Sequence, residues 1–170
     1  MTLKRLVTVL ALAGAVLSLL AFVSNGLVRP TPVAFAEEDH SSCTPVGGAL
    51  MTNIGAIAGQ TNLGPVFGDL KGSVAATILG QNKDGSFNVQ HYWVTAAGDT
   101  IKLKVAVLYP TYPTSDTGIV SVLWGAYRSE IDGGTGKFDG ATGFIDYFGL
   151  ADFHQNTLVL RYRGKVCYDH

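Results

Sequence analysis

The chain is poor in the residues that most often announce chemistry. It has only two cysteines, two methionines and two tryptophans in 170 residues, and charged side chains make up 15%. No C-x-x-C pair occurs, which removes thioredoxin-like redox chemistry and zinc ribbons. No spacing of His, Cys and acidic residues suggests a metal centre, and no cofactor is expected. Basic clusters are almost missing as well. Arg161, Arg163 and Lys165 are the one group, and they alternate along a single strand face, as a solvated face would. That argues against nucleic-acid binding, because phosphates demand clustered Lys and Arg. Beyond the first 36 residues no apolar i, i+3, i+4 stripe of helical length appears, so helical folds are excluded.

What is present begins with a targeting pattern. Lys4 and Arg5 precede an uncharged apolar run from Leu6 to Val23. Pro30 and Pro32 follow, and Ala34-Phe35-Ala36 offers the small residues a signal peptidase reads. Residues 1–36 are therefore expected to be a secretory signal cut before Glu37, leaving a secreted, periplasmic or extracellular protein with no stable membrane anchor. An uncleaved anchor is the alternative, since the run approaches the roughly 20 residues needed to span. Cleavage would leave nine basic and thirteen acidic residues. In an oxidising compartment, Cys43 and Cys167 are expected to pair, closing almost the whole mature chain into one loop.

Residues 37–65 read as an N-terminal arm, polar at first and then rich in Gly and Ala with weak pattern. From residue 66 to 170 the chain reads as short strands between turns, one domain by size. Leu70 to Ile78 and Phe87 to Thr95 are strands, with "NKDG" at Asn82 to Gly85 as the turn between them. Ile101, Leu103, Val105, Val107 and Tyr109 give the cleanest two-residue period. Ile119 to Ile131 is expected as one long strand, followed by Phe144 to Leu150 and Thr157 to Tyr168. The pattern reads as an all-β sandwich or barrel; short connections favour antiparallel neighbours, and closure would remove exposed edges. On the final strand Cys167 shares parity with Arg161, Arg163 and Lys165, which places it outside the sheet.

The stretch "GGTGKFDGATG" (133–143) holds five glycines. It fails as a P-loop because Phe138 follows Gly136-Lys137. It fails as a dinucleotide fingerprint because its spacing is G-x-G-x-x-x-G. Repeated glycines instead mark a multiply bent connection, with Phe138 free to fold back as a plug over the core. Extended back to Ile131, the stretch resembles the I-x-G-G-[S/T]-G-x-F-x-G-x-x-G hairpin of the allene oxide cyclase and dirigent superfamily. The likeness spans 66–168. It implies an all-β fold, a closed antiparallel barrel of eight strands with a lumen able to take a small apolar molecule. Thr142 stands where plant dirigent proteins usually carry arginine. No residue here matches the cyclase's acidic and amide pair, so no catalytic residue is carried over.

Such a barrel makes its lumen the default site. Phe87, Val89, His91 and Trp93 share one strand face; Ile119, Leu123 and Tyr127 share another; Phe144, Asp146, Phe148 and Leu150 share a third. With those faces inward, His91, Trp93, Tyr127, Asp146 and Phe148 are the candidate ligand-binding residues. Asp146 is the oddity, since a carboxylate between phenylalanines must face out or find a partner. Tyr109 and Tyr112 are candidates for the barrel's rim. A hydrophobic small molecule is the expected partner, and oligomerisation is left open. Three functions fit: a binding or carrier barrel, a cyclase or isomerase that confines a reactive apolar substrate, and a filled barrel with an extracellular structural role.

Overall fold

A computed structural model describes residues 42–116 and 118–168; the expected signal segment lies outside them. The strands are β1 (Ser42–Ile57), β2 (Thr61–Gly68), β3 (Gly72–Gln81), β4 (Phe87–Thr95), β5 (Thr100–Leu103), β6 (Ala106–Leu108), β7 (Ile119–Val122), β8 (Tyr127–Gly134), β9 (Thr142–Asp152) and β10 (Thr157–Tyr168). One 3-10 turn, Gly136–Phe138, is the sole helical element among the described residues. All pairings are antiparallel. They run β1–β2–β3–β4, then to β5 and β6, then to β8, β9, β10 and back to β1. β5 and β6 act as one interrupted stave, and so do β7 and β8, which both pair with β9. The result is the closed eight-stave antiparallel barrel.

The barrel begins earlier than the sequence suggests. Residues 42–65, the described part of the expected 37–65 arm, are staves of the barrel. They supply β1, which pairs with β10 from Ser42↔Tyr168 to Asn53↔Thr157, and most of β2. The Gly/Ala richness that hides the pattern has a packing reason. At Gly48 a Cβ would strike the Tyr162 ring and the Phe67 carbonyl, so β1 is thinned to let Tyr162 lie across the interior. Cys43 and Cys167 are register partners on β1 and β10 and form a disulfide. The bridge therefore fastens first stave to last on the outer face.

Two interruptions invert side-chain parity. Between β5 and β6 an extra residue enters at Lys104-Val105, a bulge. Ile101 and Leu103 point in, but Val105, at 49% exposure, does not, and Ala106 and Leu108 take over the inner face. The expected run Ile101-Leu103-Val105-Val107-Tyr109 is thus split between two faces. The expected long strand Ile119–Ile131 is likewise broken by a tight turn over 123–126, closed by the Ala126 N–H on the Leu123 carbonyl at 3.1 Å. Val120, Val122 and Tyr127 face inward; Leu123 is exposed, so Ile119, Leu123 and Tyr127 do not share a face.

One half of the barrel is filled. Trp93 donates its indole N–H to the Leu70 carbonyl at 3.1 Å and meets the Tyr162 ring edge-on at 5.3 Å. The Tyr162 hydroxyl accepts the Leu70 N–H and donates to the Phe67 carbonyl. Phe138, 1% exposed, folds back from the glycine-rich connection into the same layer, as its isolation in the sequence suggests. Gly136 makes that possible: its φ is +58°, and a Cβ there would collide with the Asp99 carboxylate. The glycines of 133–143 shape backbone.

Candidate functional site

The other half of the barrel is hollow. A chamber of about 310 Å³ runs from the aromatic floor to the end formed by Ile54, Ile78, Pro110, Tyr112 and Phe153. Tyr112 and Phe153 are half exposed and mark the mouth. The walls are aliphatic for the most part: Leu50, Val74, Val89, Val122 and Leu160 face it from five staves. The volume lies near the lower end of small-molecule pockets, about 300–1,000 Å³.

The main polar group on this wall is built from β4, β8 and β9, with the β5/β6 stave lying between β4 and β8. His91 on β4 is 4% exposed. The Tyr127 hydroxyl, from β8, lies 2.7 Å from its Nε2, and the Ser129 hydroxyl lies 3.1 Å from its Nδ1. Tyr147 from β9 stacks on the imidazole, ring centroids 4.9 Å apart and planes 12° from parallel. All bonds are satisfied when the Tyr127 phenol donates to Nε2 and Nδ1–H donates to Ser129. Burial pushes the His91 pKa down to about 4, so the ring is neutral at ordinary pH. Burial also raises both phenols, Tyr127 and Tyr147, above the usual tyrosine value, and both stay protonated. The Tyr147 hydroxyl has no partner with hydrogen-bond geometry; the nearby Ser129 hydroxyl, engaged with His91, only moderates the rise. Across the lumen β1 and β2 contribute Thr52 and Asn62. Asn62 accepts the Gly55 N–H at 3.0 Å, whereas the buried Thr52 hydroxyl has no partner.

Of the five residues expected to line the lumen, the structure brings His91 and Tyr127 together on its wall. Trp93 points inward but belongs to the floor layer beneath the chamber. Asp146 and Phe148 face away from it. The inner parity of β9 is Ile145, Tyr147 and Ala151, because register with β10 sets Tyr147 opposite inward-facing Tyr162. Asp146, 2% exposed, is covered from outside by Arg128, whose Nε and a terminal nitrogen each donate to a carboxylate oxygen at 2.7 Å. That guanidinium lies 3.8 Å over the Phe144 ring. Phe148 meets exposed Trp124 edge-on at 4.9 Å. Tyr147, Ser129, Thr52 and Asn62 were not visible as site residues in the sequence. The parity of Leu158, Leu160 and Tyr162 could have revealed Tyr147, had the β9–β10 register been known.

At the mouth, His154 in the β9–β10 turn places Nε2 2.9 Å from both carboxylate oxygens of Asp116. That hydrogen bond raises the His154 pKa and lowers that of Asp116. The contact ties the loop carrying Tyr112 to the turn carrying Phe153. Among the described residues no group of three His, Cys, Asp or Glu side chains converges to hold a metal.

No family model and no curated protein matches the chain. Among solved structures, a pterocarpan synthase dirigent protein is a structural neighbour with a TM-score of 0.31 and 13% identity, over 76% of this chain and 86% of that one.

Proposed function

We propose that this protein is a secreted binding barrel whose lumen takes up a hydrophobic small molecule. The observation that carries the reading is the chamber itself: half the barrel is packed solid and half is left hollow, walled mainly by aliphatic and aromatic side chains. Apolar walls with a few placed polar groups are the usual make-up of small-molecule pockets. A barrel filled by its own side chains would not keep that volume. Secretion is supported by the Cys43–Cys167 bridge, which persists in oxidising compartments, and by the signal pattern of residues 1–36.

A second reading is an isomerase or cyclase that confines a reactive apolar substrate. One observation favours it, the His91–Tyr127 contact in the chamber wall. The binder stands first because no carboxylate lines the chamber among the described residues. Native mass spectrometry of protein from its own host, joined to titration with apolar fluorescent probes, tests the reading. A co-purifying small molecule, or saturable binding near micromolar strength (about −8 kcal/mol), is expected. Protein that carries no added mass and leaves every probe unmoved would overturn it.

A further inference from the structure

The outer wall of β1, β9 and β10 departs from the usual coat of a barrel. An antiparallel sheet packed on a core commonly turns polar side chains outward. Here strand register brings apolar ones together. Met51 on β1 lies opposite Val159 on β10, and Val159 lies opposite Leu150 on β9; the three are 44–51% exposed. The next outward row holds Ala49, Arg161 and Phe148, with half-exposed Phe67 of β2 opposite Ala49. Trp124, 56% exposed, meets Phe148 edge-on at 4.9 Å. Single exposed apolar residues are ordinary, but a contiguous patch marks a contact surface.

Cations border this patch. Arg163 and Lys165 follow Arg161 at the next exposed positions of β10, and the Arg163 guanidinium lies 5.6 Å over the Trp124 ring. All three arginines beyond residue 36 stand on this side of the barrel, Arg128 being the third. Two carboxylates share these rows, and both are taken: Asp146 by Arg128 and Glu130 by Lys104 at 3.1 Å. Among the described residues Arg161, Arg163 and Lys165 have no carboxylate partner. A chain with more acids than bases thus gathers unpaired positive charge beside an exposed apolar row.

We propose that this wall docks reversibly on a lipid surface with anionic headgroups, whatever the lumen holds. The aliphatic row and Trp124 enter the boundary between headgroups and chains, and Arg161, Arg163 and Lys165 lie against the phosphates. Apolar side chains beside Lys and Arg on one face are the make-up of elements that lie on membranes. Indole rings favour that depth. A soluble polyanion would satisfy the cations but leave Met51, Val159 and Leu150 in water. A second copy of the chain, meeting the first through the same rows, would bring no unpaired carboxylate to the cations.

The test is vesicle flotation of the disulfide-bonded protein as its host processes it. Vesicles of phosphatidylcholine alone are compared with vesicles that also contain phosphatidylglycerol. The protein should float with the mixed vesicles, and raised salt should release it. Its fluorescence should shift to the blue on binding, and Trp124→Phe should remove the shift, because Trp93 is already buried. The double variant Arg161→Ala, Arg163→Ala should bind about twentyfold more weakly, at about fivefold for each basic residue. The double variant Met51→Ser, Val159→Ser should bind at least about tenfold more weakly, with its circular dichroism unchanged. Protein that stays in the buffer, or floats equally with phosphatidylcholine alone, overturns the proposal. Undiminished flotation of the arginine variant overturns it too, by placing the contact elsewhere. Capture by dextran sulfate without flotation would assign the cations to a soluble polyanion. A dimer that Met51→Ser abolishes, without flotation, would give the apolar row to a second copy; either result overturns the lipid assignment.

Discussion

The Tyr127 hydroxyl reaches His91 Nε2 at 2.7 Å across the β4 and β8 staves, and it does so only because a turn shifts the register between β7 and β8. Without the turn over 123–126, the parity of Val120 and Val122 would carry Tyr127 to the outside. The contact holds a neutral imidazole in a chamber wall, and several consequences can be measured.

The first is a pH dependence of stability. His91 has a folded pKa near 4 against an ordinary value of 6.5, because burial disfavours its charged form. The unfolded chain therefore binds the extra proton first as pH falls. Stability is full above about pH 6.5 and declines toward pH 4, by roughly 3 kcal/mol from this residue. His154 works in the opposite sense: its raised pKa favours the folded state below its ordinary value and loses that contribution as pH rises. Melting curves between pH 7.5 and 4.5 should slope downward, and His91→Gln should flatten them. An equal slope in the variant would assign the acid sensitivity elsewhere.

The floor of the chamber gives a packing prediction. Phe138 is fully enclosed with Trp93 and Tyr162 in one layer. Phe138→Ala should cost about 3–5 kcal/mol, read from denaturant unfolding. Gly136→Ala should also destabilise, although it adds only a methyl, because it meets the Asp99 carboxylate at positive φ. A near-neutral Gly136→Ala would mean that the connection can be rebuilt without its turn.

The bridge closes a separation of 124 residues between first and last staves. Chain entropy assigns about 4–5 kcal/mol to such a loop. The double variant Cys43→Ala, Cys167→Ala should melt well below the native protein yet keep its strand signal in circular dichroism, since eleven further register pairs hold β1 to β10. Complete loss of that signal would make the bridge a condition of folding.

How much of this was legible in the sequence follows from where periodicity survived. β4 and β10 alternate without interruption, so His91 and Tyr162 could be placed on inner faces by counting. β5–β6 and β7–β8 could not, because one inserted residue or one turn reverses every later side chain. β9 misled for another reason. Its segment FIDYFGL carries large side chains on both parities, and only pairing with β10 separates Tyr147 from Phe144 and Phe148. β1 was hidden by the glycines that make room for Tyr162. The unpaired hydroxyls of Thr52 and Tyr147 are properties of the closed ring, with no local signature.

Asp146 separates fold from site. Its carboxylate is held on the outer wall by Arg128, whose own side chain is half exposed. Arg128→Ala should cost about 1–3 kcal/mol, the penalty for a buried charged acceptor left unsatisfied. Asp146→Asn should cost less, since it removes the charge together with its need. Neither should alter probe affinity. A change in affinity larger than about threefold in Asp146→Asn would place the outer wall in communication with the lumen.

The strongest separation of stability from binding comes from filling the chamber. Ala76 and Ala151 face it from β3 and β9. Enlarging a side chain in a tight core strains it, whereas growth into an existing hollow adds contacts and removes void. Ala151→Leu and Ala76→Leu should therefore leave the melting temperature unchanged or higher. The same substitutions take up volume a ligand would use, so affinity for apolar probes should fall by about tenfold or more. Phe148→Ala, on the outer face beside Trp124, should do the reverse, lowering stability while sparing the probe. Filled variants that keep full affinity would locate the probe on the barrel's exterior, and the exposed aromatic surface around Trp124 would then be where it binds.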